Sequence, residues 1–273
     1  MSEKKIARSP LLSGIFYPSE PQMLMSEIDG LSLYAKRIPC PAFGIIAPHG
    51  SFLYSGKISM ESWGAILGSN PSIIVIMGPS HLPYEDGVFL PESTRFDIPG
   101  ACLNIDLNLR DYLLNKIPML KKDDLPHLEE HSIELQLPFA SHFFPGVPIL
   151  PCIISGKNPL TIETATRLFE EISRYIGNYA VFVLSSNLAV SDSPEECDLL
   201  SKDFIYSLSR PVAEFTGNVR ACYNSFCGEA VIRAFRIAFP EARAELLDYD
   251  NSSKHREYCD ELVVGYGAIG FKR

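Results

Sequence analysis

Six histidines are spread over 273 residues, and two of them stand in the same local setting: an apolar run, a proline turn, then the imidazole. One is Phe43-Gly44-Ile45-Ile46-Ala47-Pro48-His49-Gly50; the other is Ile73-Ile74-Val75-Ile76-Met77-Gly78-Pro79-Ser80-His81. Short β-branched runs bounded by Gly and Pro read as buried parallel strands. In an open α/β sheet, ligands bind in the crevice beyond the carboxyl ends of the strands, so both rings are expected to project into one crevice. Pro48 and Pro79 restrict the backbone ahead of each ring and help fix where it points. Neutral imidazole is the commonest metal ligand, so the pair reads as two metal ligands. The alternative is two histidines that cap loops or helix starts.

Glu130-His131-Ser132-Ile133-Glu134 is a second group. Asp123, Asp124, Glu129 and Glu130 precede or open this helix, where its dipole favours negative charge. The same dipole disfavours imidazolium, so His131 should be neutral at pH 7, fit to act as a base or to hydrogen-bond an oxygen ligand. A solvent-facing His on an acidic helix is the alternative. Cys227, in Ser225-Phe226-Cys227-Gly228-Glu229, comes just before a helix, a position that lowers thiol pKa and favours thiolate ligation or redox chemistry. Otherwise it is a buried small apolar residue, as most free cysteines are. His49, His81 and Cys227 are thus the candidate metal ligands, and His131 and Glu130 the candidate catalytic acid/base groups. His127, His142, His255, Cys40, Cys102, Cys152, Cys197, Cys222 and Cys259 show no partner pattern and are assigned to packing or surface.

These residues need a frame. Strands are expected at Phe43–Ala47, Ser72–Met77, Val147–Ile154, Tyr179–Leu184, Ala244–Tyr249 and Leu262–Phe271. Helices are expected near Ser55–Leu67, Asp106–Lys116, from Glu129 onward, Thr161–Ile176, Glu195–Leu208 and Gly228–Phe239, with Tyr84–Pro99 irregular or hairpin-like. The alternation predicts a single α/β domain over residues 1–273, with a central, mainly parallel sheet covered by helices on both faces. Four strands end in small or polar residues: Pro48-His49, Pro79-Ser80-His81, Ser155-Gly156 and Ser185-Ser186-Asn187. That pattern locates the site.

Composition narrows the chemistry. With 46% hydrophobic residues the chain can bury a sizeable core. A net charge of −9 without a Lys/Arg block disfavours nucleic acid as a partner. Every apolar stretch is broken by Pro, Gly or charge before it reaches membrane-spanning length. No apolar run follows Met1-Ser2-Glu3-Lys4-Lys5, and seven scattered cysteines without a C-x-x-C pair fit a reduced cytoplasmic protein. Walker, G-x-G-x-x-G and G-x-S-x-G patterns are absent from the strand–helix junctions.

Ser13-Gly14-Ile15-Phe16-Tyr17-Pro18, Ile45 to Gly50, Met77 to His81, Glu130 to Phe139, Ser185-Ser186-Asn187 and Cys227-Gly228 follow one another in an order that resembles the Memo-like family, also called protein B of the AmmeMemoRadiSam system. The resemblance implies a fold like the catalytic subunit of class III extradiol dioxygenases, which are non-haem iron enzymes. It implies a pocket with ligands at His49 and His81 and a nearby thiol at Cys227. It also implies iron or copper binding, redox activity or phosphopeptide binding, and AMMECR-type and radical S-adenosylmethionine proteins as partners. The chain departs from the family's usual Ser-Ser-Asp-Phe-x-His, which here is Ser185-Ser186-Asn187-Leu188-Ala189-Val190. An Asp has become Asn187 and a third His has become Val190.

What is left is a two-imidazole site seeking a third ligand. Cys227 would give His-His-Cys, suited to zinc, copper(I) or ferrous iron, whereas Glu229 or Glu130 would give the two-His, one-carboxylate set of non-haem oxygenases. Two readings follow: a metal-dependent oxidoreductase or dioxygenase-like enzyme using Fe(II) or Cu, with Zn as a further choice, or a non-catalytic module that binds a small molecule, peptide or protein in the same cleft. For an anionic peptide, Lys57, Arg95 and Lys157 are expected to supply positive charge at the rim. A zinc hydrolase is a third, weaker reading.

Overall fold

The computed structural model describes residues 6–35, 37–217, 226–255 and 262–273; Met1–Lys5, Cys222, Ser225 and Cys259 lie outside them. The strands are β1 (Ala7–Arg8), β2 (Gly44–Ala47), β3 (Ile73–Pro79), β4 (Gly87–Leu90), β5 (Arg95–Ile98), β6 (Ala101–Asn104), β7 (Leu120–Lys122), β8 (Ile149–Ser155), β9 (Ala180–Ser185), β10 (Val190–Ser191), β11 (Arg243–Asn251) and β12 (Val263–Lys272). The helices are α1 (Pro21–Leu31), α2 (Phe52–Gly64), α3 (Leu107–Lys116), α4 (Leu125–Leu128), α5 (His131–Glu134), α6 (Leu137–Phe143), α7 (Pro159–Ile176), α8 (Pro194–Leu208), α9 (Val212–Gly217) and α10 (Glu229–Ala238).

The large sheet runs in the order β10-β12-β2-β9-β3-β8-β4-β7, with β11 on the outside of β12. Its centre, β2-β9-β3-β8, is parallel. Every residue of these four strands is buried, which is why they read as unbroken apolar runs. The expected parallel frame is therefore present. The late strands differ: β11 and β12 form an antiparallel hairpin, and β12 also pairs antiparallel with β2. A connection too short to hold a crossover helix can only return the chain antiparallel. One further difference bears on the site. β2 and β3 are not neighbours, because β9 lies between them.

Helices flank the sheet. α7 starts at Asn158, whose side chain accepts from the Thr161 N–H, followed by Pro159 in the first turn, a strong start signal. Its face of Ala165, Leu168, Phe169 and Ile172 is buried. There Phe169, Phe182, Phe235 and Phe239 interlock with ring centroids 4.9–6.2 Å apart. The segment read as one helix from Glu129 is instead two short ones, α5 and α6. Pro138 sits in the first turn of α6, where its missing N–H costs nothing, and it breaks continuity with α5. The hairpin-like region resolves into β4, which joins the main sheet, and β5, which joins β1 and β6 in a separate three-stranded sheet. The β5–β6 turn uses Pro99 and then Gly100 at φ 81°, a backbone position that suits glycine.

The N-terminal segment is strapped onto α5 by one carboxylate. Glu134, fully buried, pairs with Arg8 and accepts from Leu12 N–H (2.8 Å), Leu11 N–H (3.1 Å) and Tyr17 O–H (2.7 Å). Burial and this partner push the Tyr17 phenol pKa up. Arg8 also donates to the carbonyls of His127, Leu128 and Glu130. The Gly14–Pro18 motif is therefore an anchor: Tyr17 is buried, while Ile15 is exposed.

Breaking a buried pair leaves its partner's charge uncompensated, at a cost of about 3–5 kcal/mol. Glu134→Leu should lose about that much in urea denaturation, and Arg8→Met/Glu134→Leu together should lose less than the sum of the single changes. His127 supplies a pH test. It is buried between Phe89 and Phe96, and burial pulls its pKa down to about 4. The unfolded chain binds this proton more tightly, so the stabilisation is whole above about pH 6.5 and is lost as pH falls toward 4. Between pH 6.5 and 5 the His127→Gln variant should show ~2 kcal/mol less loss of stability than the native chain.

Candidate metal centre

The rings of His49, His81 and His131 converge, each offering one nitrogen within 4.8 Å of the others. Centroid separations are 5.0 Å for His49–His81, 5.1 Å for His49–His131 and 4.1 Å for His81–His131. His49 follows β2, His81 follows β3 and His131 opens α5. His49 and His81 meet across the carboxyl end of β9, whose Ser185 contacts the His49 ring.

Two of the rings, His81 and His49, are oriented by partners behind them. The Glu130 carboxylate can only accept, so His81 Nδ1 carries the proton toward Oε1 at 2.8 Å, and Nε2 is left for the cleft. Glu130 also receives the backbone N–H of His81 (2.7 Å) and of Ser132 (2.8 Å), the second of these as the N-cap of α5. His49 is held by a longer chain. Trp63 Nε1–H donates to Gln136 Oε1 (3.1 Å), which turns the Gln136 amide so that Nε2 donates to Pro48 O (2.9 Å) and Ser185 Oγ (3.2 Å). Ser185 spends its own proton on Ser132 O (2.6 Å). Its Oγ must therefore accept from His49 Nδ1–H at 2.9 Å, leaving the Nε2 lone pair facing the cleft.

Cys227 stands beside this trio. Its Sγ is 3.1 Å from His49 Nε2 and 3.9 Å from both Ser186 Oγ and the Asn187 carbonyl. Close packing sets that position: a Cβ on Gly228 would fall 2.4 Å from the Ser186 side chain, and Gly228 N–H donates to Ser186 Oγ (3.1 Å). Gly78 plays the same part under α5, where a Cβ would meet Ser132 Oγ at 2.3 Å.

The electrostatics divide the three rings. Burial, then repulsion from His131 and His81, drives the His49 pKa well below its ordinary value. Burial and the charge of His81 lower His131 to about 4. His81 is partly exposed, and hydrogen bonds to Cys227 and Glu130 outweigh its partial desolvation and lift it to about 10. Burial would raise Glu130, yet bonds to His81 and backbone amides hold it at about 2. At neutral pH the cleft thus holds the Glu130 carboxylate and one imidazolium, at His81, beside neutral His49 and His131.

Three imidazole nitrogens with a thiol alongside fit a late first-row ion. The carboxylate alternatives fit less well. Glu130 has its oxygens committed to His81 and Ser132, and Glu229 is held by Lys157 (2.7 Å) and Arg233 (3.4 Å). A helix start predicts only the charge state of His131, and hence an acid/base role; its place as a third converging ring depends on how α5 docks on β3. Asn187 keeps a role: its Oδ1 accepts the His49 backbone N–H at 3.0 Å, as an Asp would. Val190 lies on β10, exposed and paired with Val264. Of the expected rim cations, Lys57 is paired with Asp248, Arg95 with Asp97 on the small sheet, and Lys157 with Glu229.

An α/β sheet with a histidine cluster at the ends of its central parallel strands defines the class. The Memo-like protein family profile matches residues 8–270, and the chain belongs to that family. It is 28% identical to a MEMO1 family protein of Pyrobaculum arsenaticum, over 97% of this chain and 99% of that protein. A MEMO1 family protein of Methanosarcina acetivorans is 30% identical over 96% and 98% of the two chains. Among solved structures, an uncharacterized protein JW3007 of Escherichia coli K12 shares the fold at a TM-score of 0.52 and 10% identity, covering 83% of this chain and 98% of that one. No helix among the described residues is long and apolar enough to cross a membrane.

The hydrogen-bond chain behind His49 makes a prediction. Imidazole 15N NMR at pH 7 on metal-free protein should show His49 as the Nδ1–H tautomer. Ser185→Ala should convert it to a mixture while the amide spectrum stays native.

Proposed function

We propose that this protein is a metal-dependent oxidoreductase whose cleft holds one Fe(II) or Cu ion through His49, His81 and His131, with Cys227 as a further donor, and acts on a small molecule that enters beside the ion. The observation that carries this reading is the convergence of three imidazole nitrogens within 4.8 Å, each of two held from behind by its own hydrogen-bond partner. A structural histidine has no need of two such orienting networks aimed at one point. A bound ion would supply Lewis acidity and electron transfer.

The chain's own residues do the rest. Glu130 keeps the His81 proton on Nδ1 and so acts by positioning His81; both its oxygens are committed, which leaves it poorly placed as a proton-transfer group. Trp63, Gln136 and Ser185 do the same for His49. Phe16, with its ring centroid 5.9 Å from that of His131, packs against that ring. A thiol at 3.1 Å from His49 Nε2 supports a soft or reduced ion rather than a hard one. The five described cysteines are free, which supports a reduced, cytoplasmic setting.

Anaerobically purified protein should carry, or take up, one Fe or Cu per chain by elemental analysis. His49→Ala/His81→Ala should abolish uptake, and Glu130→Gln should weaken it about 10- to 100-fold while the fold persists. Protein that binds no ion in stoichiometric amount under reducing conditions, or that keeps it in the double variant, would overturn the reading.

A further inference from the structure

A second cavity opens well away from the histidines, near the carboxyl end of α10. It has a volume of about 600 Å³, within the range of small-molecule sites. Three arginines line it: Arg210, Arg236 and Arg243. Arg236 is the unusual one. It is 3% exposed, yet among the described residues no carboxylate pairs with it. Its Nη1 donates to the Ala242 carbonyl and its Nη2 to Arg210 O (3.1 Å), while Nε has no partner. A guanidinium has five N–H donors, so these two bonds leave donors to spare.

Carbonyl dipoles and the end of α10 ease the burial of this cation but bring no net charge to match it. Glu241 lines the cavity too, exposed and outside any ion pair with a described residue. Arg210 is stacked over Tyr206, with its charge centre 4.9 Å from the ring, which holds its guanidinium plane in place.

We propose that this cavity is a binding site for a small, multiply charged oxyanion, a molecule that presents phosphate or carboxylate groups to Arg210, Arg236 and Arg243. Planar guanidinium forks suit both groups, and an anion here would neutralise a cation that the described fold leaves unmatched. The cavity exceeds a single phosphate, so the natural occupant carries its anionic group on a larger body. The site is separate from the metal centre: eight residues of chain, most of them in α10, lie between Cys227 and Arg236, and no residue is shared.

The test is titration calorimetry with sodium pyrophosphate and, separately, sodium citrate, at fixed ionic strength set by chloride. Intact protein should bind one of them saturably, one per chain, and its Tm should rise with ligand. Pyrophosphate alone would mark the site as phosphate-selective, and citrate alone as carboxylate-selective. Arg210→Gln/Arg243→Gln, which leaves the buried Arg236 and its carbonyl bonds in place, should weaken binding roughly tenfold or more. His49→Ala/His81→Ala should bind as the native chain does. Three results would overturn the proposal: no saturable binding beyond chloride, binding unchanged in the arginine variant, or binding lost only in the histidine variant.

Discussion

A carboxylate with no access to water has to be given its hydrogen bonds by the protein, and Glu134 draws them from the other end of the chain. Arg8, Leu11, Leu12 and Tyr17 all turn toward it. The arrangement fixes α5 in place, and α5 is where the site is organised. Over residues 130 to 136 every second side chain serves a different element. Glu130 holds His81 after β3. Ser132 donates to Pro79 O on β3, and its carbonyl receives Ser185 of β9. Glu134 takes the N-terminal segment. Gln136 bridges α2, the loop after β2 and β9. A shift of this one short helix would disturb both histidine-orienting networks at once.

Stability and site geometry are therefore not separable here. The polar side chains behind the rings, Glu130, Ser132, Glu134, Gln136 and Ser185, are deeply buried, and each has the partners that burial demands. Such a network tolerates little partial change, because a single missing partner leaves a buried donor or acceptor unpaired. Burial explains why His49 is neutral, with no solvent around a charge, whereas Glu130 and Cys227 support a cation at His81.

Much of the frame was legible in the sequence. The apolar runs at 44–47, 73–79, 149–155 and 180–185 and the capped helix after Asn158 carried local signals strong enough to read directly. His49 and His81 were found by their matching proline turns, and Cys227 by its place before a helix. The rest depended on contacts between distant segments. The sheet order, with β9 inserted between β2 and β3, leaves no local mark. The approach of His131 to the other rings follows from docking, not periodicity. Glu134 looked like one acid among several at a helix start; only its four donors, more than a hundred residues away, set it apart. β1 and β10, two residues each, are too short for any pattern to reveal.

The interposed strand has a consequence for how the molecule comes into being. Among the described residues β2 pairs only with β9 and β12, and β9 is made more than 130 residues after it. During synthesis from the N-terminus, Gly44–Ala47 leaves the ribosome long before either neighbour exists. The first half of the sheet must wait, its edges open, for a piece of chain that is still unmade. Contacts of such long range raise the entropic cost of the folding barrier and prolong the exposure of sticky intermediates. The ring cluster is assembled from residues 49, 81 and 131, with a thiol at 227 alongside, so it exists only once that wait is over. Capture of an ion there would report that the nascent polypeptide has finished its journey.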